Sequence, residues 1–339
     1  MLPTQETLYL YTEIAVDPGQ TPLRLDRFLV DRLENVSRSF LQQKISEGLV
    51  WIRGRAVRAS YLVKPGEVIR IFQREAPREI EVLPEDIPLE VVYEDADILV
   101  VNKPAGMVVH PGHGHFSGTL VNALLYHLRD EPLFQQGGLR PGLAHRIDKD
   151  TSGLLVVGKN EAAMAALGAQ FLHHSAHRTY VALAWGRFAE PEGTVCTQLA
   201  RDPADRQRMK VFADPEVGKT AVTHWRVLED YTVFSWIECQ LETGRMHQIR
   251  VHMQYLKHPL FNDARYGGDK ILRGVETPAY HALMQRLFAQ CPRQALHARA
   301  IDLRHPRTGE SLHLEAPLPT DMAGLLALLE SGEVEAALS

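Results

Sequence analysis

The sequence predicts an α+β protein in which a small N-terminal α/β module precedes a large domain built on a large mixed, mainly antiparallel sheet. Three observations predict this fold class. From about Val91 onward, strand-like and helix-like stretches alternate without a regular strand–helix–strand rhythm. Between residues 23 and 72, two short helical patterns precede two short apolar alternations. A proline-rich, acidic segment separates the two regions.

These patterns divide the 339 residues into four segments. We expect an N-terminal strand segment at 1–20, the small module at 21–73, an acidic linker at 74–88 and the large domain at 89–330. Residues 73–90 contain three prolines and six acids against two arginines, which is typical of a polar, semi-stiff connector. A hydrophobic content of 45% and a charged content of 23% suit a globular protein.

The small module shows helical and then extended patterns. Leu25, Phe28, Leu29 and Leu33 recur at helical spacing, and a second helix follows Ser37, with the residues of its buried face at Phe40, Leu41 and Ile45. Two short strands are expected at 50–52 and 68–72, with turns in "RGRA" and "KPGE".

The module is basic although the chain is acidic. Residues 23–72 contain ten cations and five anions, while the whole chain has a net charge of −5. Such asymmetry between parts of a chain is typical of a nucleic-acid-binding module, although a basic solvated surface would give the same count.

The large domain contains five predicted strands and four predicted helices. The strands are expected at 97–103, 153–159, 178–186, 232–241 and 294–303. The helices are expected at 118–128, 160–175, 245–256 and 321–330.

Several protein classes receive no support from the sequence. The N-terminus lacks the features of a signal peptide and no apolar run approaches the roughly 18 residues of a membrane span. The three cysteines, Cys196, Cys239 and Cys291, are odd in number and far apart, which argues against a disulfide framework or a cysteine zinc site. We therefore expect a cytoplasmic protein without a membrane partner.

The stretch "HRIDKDTSGLLVV" places Asp148 on a tight turn before an apolar strand. "DKDTSG" imitates a calcium-binding loop, but the twelfth position, which requires a glutamate, holds Lys159. An aspartyl phosphotransferase carries its nucleophilic Asp after a buried strand, whereas here the strand follows the Asp. A structural turn, in which Asp148 or Asp150 bonds backbone amides, also fits these residues.

Residues 23–72 resemble the S4-type RNA-binding module in "RLDRFL", "SRSFLQQKISEGLV" and "KPGEVI". Arg53 departs from the family, many of whose members have Asn there in a Val-Asn-Gly turn. The resemblance implies that cations of the module contact RNA phosphates, which position RNA without reading its sequence. These cations are Arg24, Arg27, Arg38, Lys44, Arg53, Arg55 and Arg58.

The remainder of the chain resembles the RluA/RluD family of RNA pseudouridine synthases. "HRIDKDTSGLLVV" is similar to the sequence around the family's nucleophile, and other family motifs occur in the family's order. They are "DILVVNKPAGMVVHPGHGH", "HRTYVALAWG", "KTAVTHWRVLE", "LETGRMHQIRVHMQYLKHPLFNDARYGG" and "RQALHARAIDLRHPRTGESLHLEAPLP". The combination is most similar to members that act on large-subunit (23S) ribosomal RNA.

The resemblance implies a pseudouridine synthase fold with a central cleft and an isomerase that converts uridine to pseudouridine on a flipped-out base. This reaction requires no cofactor or metal. Asp148 would be the nucleophile, attacking C6 of the base or acting at C1′ of the sugar, and both routes stay open. Arg250 would pair with Asp148 and keep it ionised. On a continuous helix, Arg245 and Arg250 would lie about 140° apart, so that only one faces Asp148.

Further site residues follow from the same resemblance. Tyr180 would stack on the uracil, with room beside it at Ala182 and Ala184, and could take the proton from C5. Arg146 would enter the RNA stack where the base has left. Further contacts to substrate are expected from Arg245, His247, Thr151, Leu241, Lys103 and His110.

Three further expectations concern the turn, a metal site and the partner. Thr151 and Ser152 are expected to bond the backbone of the turn. The histidines His110, His113 and His115 form no recognisable metal-binding pattern, so no metal site is predicted. The expected partner is large-subunit ribosomal RNA or a pre-ribosomal particle, bound by a monomer; an RNA-binding assembly factor with an idle cleft and an aspartyl phosphotransferase are the alternatives.

Overall fold

The computed structural model describes residues 8–33, 38–74, 82–112, 116–135, 141–205 and 207–338. Contacts within the chain divide it into two units, residues 1–80 and 81–339. Among the described residues, no helix is long and apolar enough to cross a membrane.

The first unit combines two short helices with short strands. Its elements are β1 (Tyr9–Ala15), β2 (Leu23–Arg24), α1 (Leu25–Arg32), α2 (Arg38–Ser46), β3 (Val50–Ile52), β4 (Arg55–Ala56), β5 (Leu62–Val63) and β6 (Val68–Gln73). One sheet has the order β1-β6-β3-β4, and β2 pairs with β5. The predicted helical faces are buried: Phe28 and Leu29 of α1 pack with Leu41 and Ile45 of α2.

The turn between β3 and β4 keeps a left-handed geometry although it carries an arginine. Arg53 has a φ of 51° and Gly54 a φ of 74°. Two consecutive positive φ values are typical of the two-residue hairpin turn that asparagine and glycine favour. The departure at Arg53 therefore leaves the hairpin intact.

The second unit is built on a ten-stranded sheet with helices packed against it. Its strands are β7 (Val91–Glu94), β8 (Ile98–Lys103), β9 (Ser152–Gly158), β10 (His177–Trp185), β11 (Glu192–Arg201), β12 (Met209–Phe212), β13 (Lys219–Tyr231), β14 (Phe234–Leu241), β15 (Leu296–Arg304) and β16 (Ser311–Glu315). Its helices are α3 (Leu120–His127), α4 (Pro132–Gln135), α5 (Glu161–Leu172), α6 (Gln248–Tyr255), α7 (Pro278–Gln290), α8 (Thr320–Glu330) and α9 (Glu333–Leu338).

The sheet is mixed, and the α+β fold class is confirmed. Its strand order is β12-β11-β13-β14-β10-β15-β9-β8-β7, and β16 pairs with β15. All the neighbours are antiparallel except β15 and β9, which pair in parallel where His297 and Ala298 face Ser152 and Gly153. This parallel contact brings the N-terminal end of β15 beside the residues that follow Asp148.

The central strand β10 is buried on both faces. Tyr180, Ala182 and Ala184 belong to the core cluster on one face, which includes residues of α3 and α6. Val181 and Trp185 point to the cluster on the other face, which includes residues of α7 and α8. The neighbours of Tyr180 are therefore packed into the core, and the room predicted beside Ala182 and Ala184 is filled.

Residues 82–89, which were expected to lie in or beside a linker, pack against the rest of the second unit. Val82 and Leu89 pack against its core, and the side chain of Asn122 donates a hydrogen bond to the Leu83 carbonyl at 2.8 Å. The carboxylate of Glu85 accepts hydrogen bonds from the Gly118 amide. This attachment was not evident from the composition of the segment.

Candidate active site

The loop that carries Asp148 is held through the carbonyl oxygens of the two residues after it. The buried ammonium group of Lys103 donates hydrogen bonds to the Lys149 carbonyl at 2.9 Å and to two carbonyls of its own segment. The guanidinium of Arg293 donates to the Asp150 carbonyl at 2.9 Å. Lys149 and Asp150 thus anchor the loop through their backbone.

The residues that follow the loop bond to other elements. The Thr151 amide donates to the Asp148 carbonyl at 3.2 Å and closes the turn. The Ser152 hydroxyl bonds to Nδ1 of His297 at 2.9 Å and accepts from Arg293 at 3.3 Å. The expectation that the Ser152 side chain bonds the turn backbone was therefore wrong, because the parallel strand β15 supplies a closer partner.

Arg250 joins two carboxylates. Its Nη1 donates to Oδ2 of Asp148 at 2.9 Å, while its Nε and Nη2 donate to Oδ2 and Oδ1 of Asp263 at 2.7 and 2.9 Å. Asp263 is fully buried, and the guanidinium lies 5.1 Å from the centre of the Tyr266 ring. This pairing fixes Arg250 on the side away from the cavity and leaves its Nη1 to donate to Asp148.

Burial and charge act in opposite directions on Arg250. Burial disfavours the charged guanidinium, but hydrogen bonds and attraction from Asp263, together with Asp148, outweigh it and raise the pKa of Arg250 above its usual value. Arg250 is therefore charged at every physiological pH. A permanent cation therefore lies 2.9 Å from the Asp148 carboxylate and holds it in place by a hydrogen bond.

His247 contacts Asp148 as a neutral group. Its Nε2 lies 3.8 Å from Oδ2 of Asp148, and its Nδ1 shares a 2.8 Å hydrogen bond with the Tyr266 hydroxyl. Burial lowers the pKa of His247 to about 4, more than the nearby Asp148 raises it. The imidazole is thus uncharged near pH 7.

The helix that carries Arg250 begins later than the sequence pattern predicted. α6 starts at Gln248, and His247 before it has a left-handed φ of 55°. Gln248 folds the preceding segment by accepting hydrogen bonds through Oε1 from the Thr243 hydroxyl and from the Arg245 amide. The argument from helical angles between Arg245 and Arg250 therefore does not apply, because Arg245 lies outside the helix.

Tyr180 lies at the cavity end of the buried face of β10. Its ring is 5% exposed, and burial raises the pKa of its hydroxyl. The phenol therefore stays protonated near pH 7, which suits an aromatic wall better than a proton acceptor.

A cavity of about 420 Å³ lies above Asp148 and gathers eight of the ten residues proposed for catalysis or substrate binding. These residues are Arg146, Asp148, Thr151, Tyr180, Leu241, Arg245, His247 and Arg250. Residues without a predicted role complete the lining, among them Ile147, Arg178, Gly244, Gln248 and Ile249. The cavity combines apolar walls with a few convergent polar groups, as small-molecule and base-binding pockets do.

Two predicted contact residues do not line this cavity. Lys103 is 1% exposed and its ammonium group is occupied by three carbonyl oxygens, so it supports the loop from below. Its assignment as a substrate contact is therefore corrected to a structural role. His110 is half-buried, has a bonding partner and lies outside the lining; His113 and His115 lie outside the described residues.

The sequence interpretation missed Arg178 and Asp263. The guanidinium of Arg178 lies 5.3 Å from the centre of the Phe171 ring, and its buried Nε has no partner among the described residues. Gly244 leaves space for Arg178, since a Cβ at Gly244 would lie 2.7 Å from Nη1. Both residues are charged and lie within motifs quoted above, but the motif letters alone do not indicate which side chains they contact.

Arg146 and Arg245 are exposed at the mouth of the cavity. The Nε of Arg245 donates to the Thr220 carbonyl at 3.0 Å. Arg146 makes no side-chain hydrogen bond or ion pair with any described residue. It is therefore available to an incoming ligand.

The cations proposed for RNA binding in the first unit fall into three groups. Arg24, Lys44 and Arg53 lie 2.9, 3.9 and 3.4 Å from Asp26, Glu47 and Glu67, respectively. Arg27, Arg55 and Arg58 are exposed and form no ion pair with the described residues. The side chain of Arg38 lies outside the part of the chain that the structure describes.

One cluster away from the cavity has a metal-like composition. Asp95, Asp97 and His305 place their ligand atoms within 4.8 Å of one another. Arg307 donates two hydrogen bonds to Asp97, at 2.6 and 2.7 Å, and His305 bonds to Asp95 at 2.8 Å. These donors occupy the carboxylates as a structural ion-pair network would.

Comparisons with known protein families match both units. The family described as RNA pseudouridylate synthase matches residues 97–255, and the S4 domain family matches residues 23–69.

Relatives are similar over nearly the whole chain. The "uncharacterized RNA pseudouridine synthase YlyB" of Bacillus subtilis is 44% identical over 93% of this chain and 96% of its own length. The ribosomal large subunit pseudouridine synthase D of Zymomonas mobilis is 45% identical over 90% of this chain and 93% of its own. The enzyme of the same name from Pseudomonas aeruginosa is 42% identical over 90% and 92%.

Solved structures share the fold over about 70% of the chain. The human RNA pseudouridylate synthase domain containing 1 is 26% identical, with a TM-score of 0.51 over 72% of this chain and 87% of that one. The human RNA pseudouridylate synthase domain containing 4 is 22% identical and shares the fold, with a TM-score of 0.56 over 71% and 93% of the two chains.

Proposed function

The chain belongs to the RNA pseudouridine synthase family, and from this we propose that it isomerises uridines of large-subunit ribosomal RNA with Asp148 as the nucleophile. As an RNA pseudouridine synthase with an S4 domain, it carries an isomerase unit and an RNA-binding unit. The choice of ribosomal RNA is supported by several relatives of 41–45% identity that are named ribosomal large subunit pseudouridine synthase D.

The observation that carries the mechanism is the 2.9 Å contact between Arg250 and Asp148 at the cavity. In the reaction, the N1–C1′ bond of uridine breaks with its electron pair going to N1, and C1′ then bonds to C5. The proton of C5 leaves, and N1 gains a proton. The Asp148 carboxylate acts as the nucleophile, through C6 of the base or C1′ of the sugar, while Arg250 holds it by a charged hydrogen bond.

The other cavity residues are proposed to hold the flipped base. Tyr180 supplies a protonated aromatic wall, and the apolar side chain of Leu241 on the neighbouring strand also lines the cavity. The neutral His247 and the exposed Arg245 face the ribose and phosphates, and the buried Thr151 keeps the turn in place. Arg146 has no protein partner in the described part of the chain and is proposed to fill the gap left in the RNA stack.

The cations of the S4 domain are proposed to contact phosphates. Arg27, Arg55 and Arg58 are exposed without acidic partners among the described residues, so binding RNA would break no ion pair at these positions. Phosphate contacts of this kind give affinity that falls as the salt concentration rises, and they carry no sequence information.

The test is the Asp148→Asn variant, which keeps the shape of the side chain and removes its charge. We expect no pseudouridine in a large-subunit ribosomal RNA transcript and essentially unchanged affinity for that transcript, measured by mass spectrometry and by filter binding. Pseudouridine formed by the variant at the wild-type rate would contradict the role of Asp148. Wild-type protein that modifies transfer RNA but no ribosomal transcript would contradict the proposed substrate.

A further inference from the structure

A groove of about 1030 Å³ lies at the C-terminal end of α6, away from the cavity above Asp148. Lys210, Lys257 and Arg273 lie on its rim, Tyr255 stands beside it, and Val251 lines it. The three rim residues and Tyr255 are all exposed.

The positive charge of this groove is not balanced by acidic residues in its lining. Its lining contains three cations and no acidic residue, in a chain with a net charge of −5. Lys210, Lys257 and Arg273 form no ion pair with any residue that the structure describes. Some exposed arginines elsewhere in the unit are paired, as Arg226 is with Glu238 at 3.0 Å and Arg286 with Glu333 at 2.6 Å. The groove is therefore complementary to a polyanion.

Tyr255 adds an aromatic surface to this charge. The side chain is 53% exposed at the last residue of α6. It also lines the neighbouring depression of about 760 Å³, which is bordered by Cys196 and Phe212. The ring thus stands between two depressions with its surface open to stacking. Cations that follow a backbone together with aromatic rings that stack on bases are the usual composition of a single-strand binding groove.

The groove and the active site share a helix. Arg250, which contacts Asp148, lies in the first turn of α6, and Tyr255 ends the helix. Eight helical residues span about 12 Å. A polynucleotide bound at Asp148 can therefore extend to the groove over a few nucleotides.

We propose that this groove binds a single-stranded segment of RNA that flanks the target uridine. Phosphates contact Lys210, Lys257 and Arg273, and a base stacks on Tyr255. The inference rests on the proposed function in so far as the flanked nucleotide is the one isomerised at Asp148.

The first experiment measures the affinity of the full chain for a single-stranded oligouridylate of about 20 nucleotides, longer than the usual site of about 4–16 nucleotides. Each phosphate contact to a single strand contributes about 0.7 to the slope of log K against log salt. The combined Lys210→Ala, Lys257→Ala and Arg273→Ala variant should therefore lower this slope by about 2. The S4 domain is unchanged in every variant, so its contribution cancels.

The matched control removes three exposed arginines outside the groove, by Arg226→Ala, Arg286→Ala and Arg304→Ala. It changes the net charge by the same amount and should leave the slope within error of the wild type. An equal loss of slope in both triple variants would show a general charge effect and would overturn the proposal.

The second experiment tests the ring. Tyr255→Ala should weaken binding about tenfold, while Tyr255→Phe, which keeps the stacking face, should retain most of the affinity. RNA that carries 5-iodouridine should also cross-link to the peptide containing Tyr255. If Tyr255→Ala binds as the wild type does and no cross-link maps to that peptide, the stacking site does not exist.

Failure of this inference can be told apart from failure of the proposed function. If the wild-type protein forms pseudouridine but the groove variants bind RNA as the control does, only the proposal that the groove binds RNA is overturned. The groove would then suit an acidic protein surface. If the groove variants lose affinity for RNA but the wild-type protein modifies no ribosomal transcript, the proposed substrate is overturned and the proposal that the groove binds RNA is supported.

Discussion

The guanidinium of Arg250 lies between two carboxylates that differ in their surroundings. Asp148 borders the cavity, while Asp263 is fully buried and takes two of the three hydrogen bonds. The pairing of Arg250 with Asp148 could be anticipated from the family motif. Asp263 could not, because it follows α6 by a loop whose path only the folded chain reveals.

Asp263 is therefore expected to act as a positioning residue for Arg250. In Asp263→Asn the buried guanidinium loses a charged partner, and breaking a buried pair typically costs about 3–5 kcal/mol. We expect kcat to fall by about tenfold or more, since Arg250 is no longer held toward Asp148, while the Kd for RNA changes little. Single-turnover kinetics and RNA binding, measured on the same preparation, separate the two effects.

Tyr266→Phe is the matched control for this variant. It keeps the ring beneath Arg250 and removes the hydroxyl that bonds to His247. We expect a smaller loss of kcat than in Asp263→Asn. A kcat for Asp263→Asn equal to that of the wild type, in a folded protein, would show that Asp148 does not depend on this pairing.

At the scale of elements, the start of β9 depends on one glycine. Gly153 has a φ of 115° and lies against β15, where the two strands pair in parallel. A Cβ at this position would lie 2.6 Å from the Ala298 amide nitrogen and closer still to its carbonyl oxygen. No side chain fits there without displacing the backbone that holds Ser152 and the loop of Asp148.

Gly153→Ala is expected to destabilise the protein strongly. Backbone strain at a positive φ costs about 1–3 kcal/mol, and forcing a methyl group into a packed contact costs about 1–3 kcal/mol more. Gly168→Ala in α5 is the control, since a Cβ there meets nothing within 4 Å and alanine favours a helix. Thermal unfolding should show a lower Tm for the first variant and an equal or higher one for the second; equal values would contradict the packing argument.

Element boundaries were predictable where local chemistry determines them. The five predicted strands of the large domain are present, because each carries a run or an alternation of apolar residues. α7 (Pro278–Gln290) was not predicted, although Thr277 caps it and Pro278 occupies its first position, both of which are recognisable signals. The start of α6 was predicted three residues too early because Gln248 folds the preceding segment through contacts across the chain.

At the scale of the molecule, the order of motifs identified the family, since several long motifs together leave little ambiguity. The packing of side chains was harder to predict from the sequence. The sequence placed Tyr180 beside open space, whereas the face of β10 that it shares with Ala182 and Ala184 is filled by α3 and α6. The burial of Lys103 likewise depends on the carbonyl group of the distant Lys149 as well as on those of its own segment, which no local pattern indicates.

Buried neutral histidines predict how stability of the second unit depends on pH. Burial lowers the pKa of His247, His252 and His297 to about 4 each, and that of His145 to about 3. In the unfolded chain these groups titrate near 6.5, so between pH 6.5 and about 4 the unfolded state binds more protons than the folded state. The free energy of unfolding therefore falls as the pH drops through this window and is constant, for these groups, above it.

At about pH 5.5, each of these histidines is expected to lower the free energy of unfolding by about 1 kcal/mol compared with about pH 7.5. Urea unfolding followed by tryptophan fluorescence measures the difference, because Trp185 and Trp236 are buried in this unit. His252→Gln removes one of the four titrating groups and should reduce the difference by about a quarter. A stability that is equal at the two pH values in the wild type would mean that these imidazoles are charged in the folded state, and the neutral role given to His247 beside Asp148 would then fall with it.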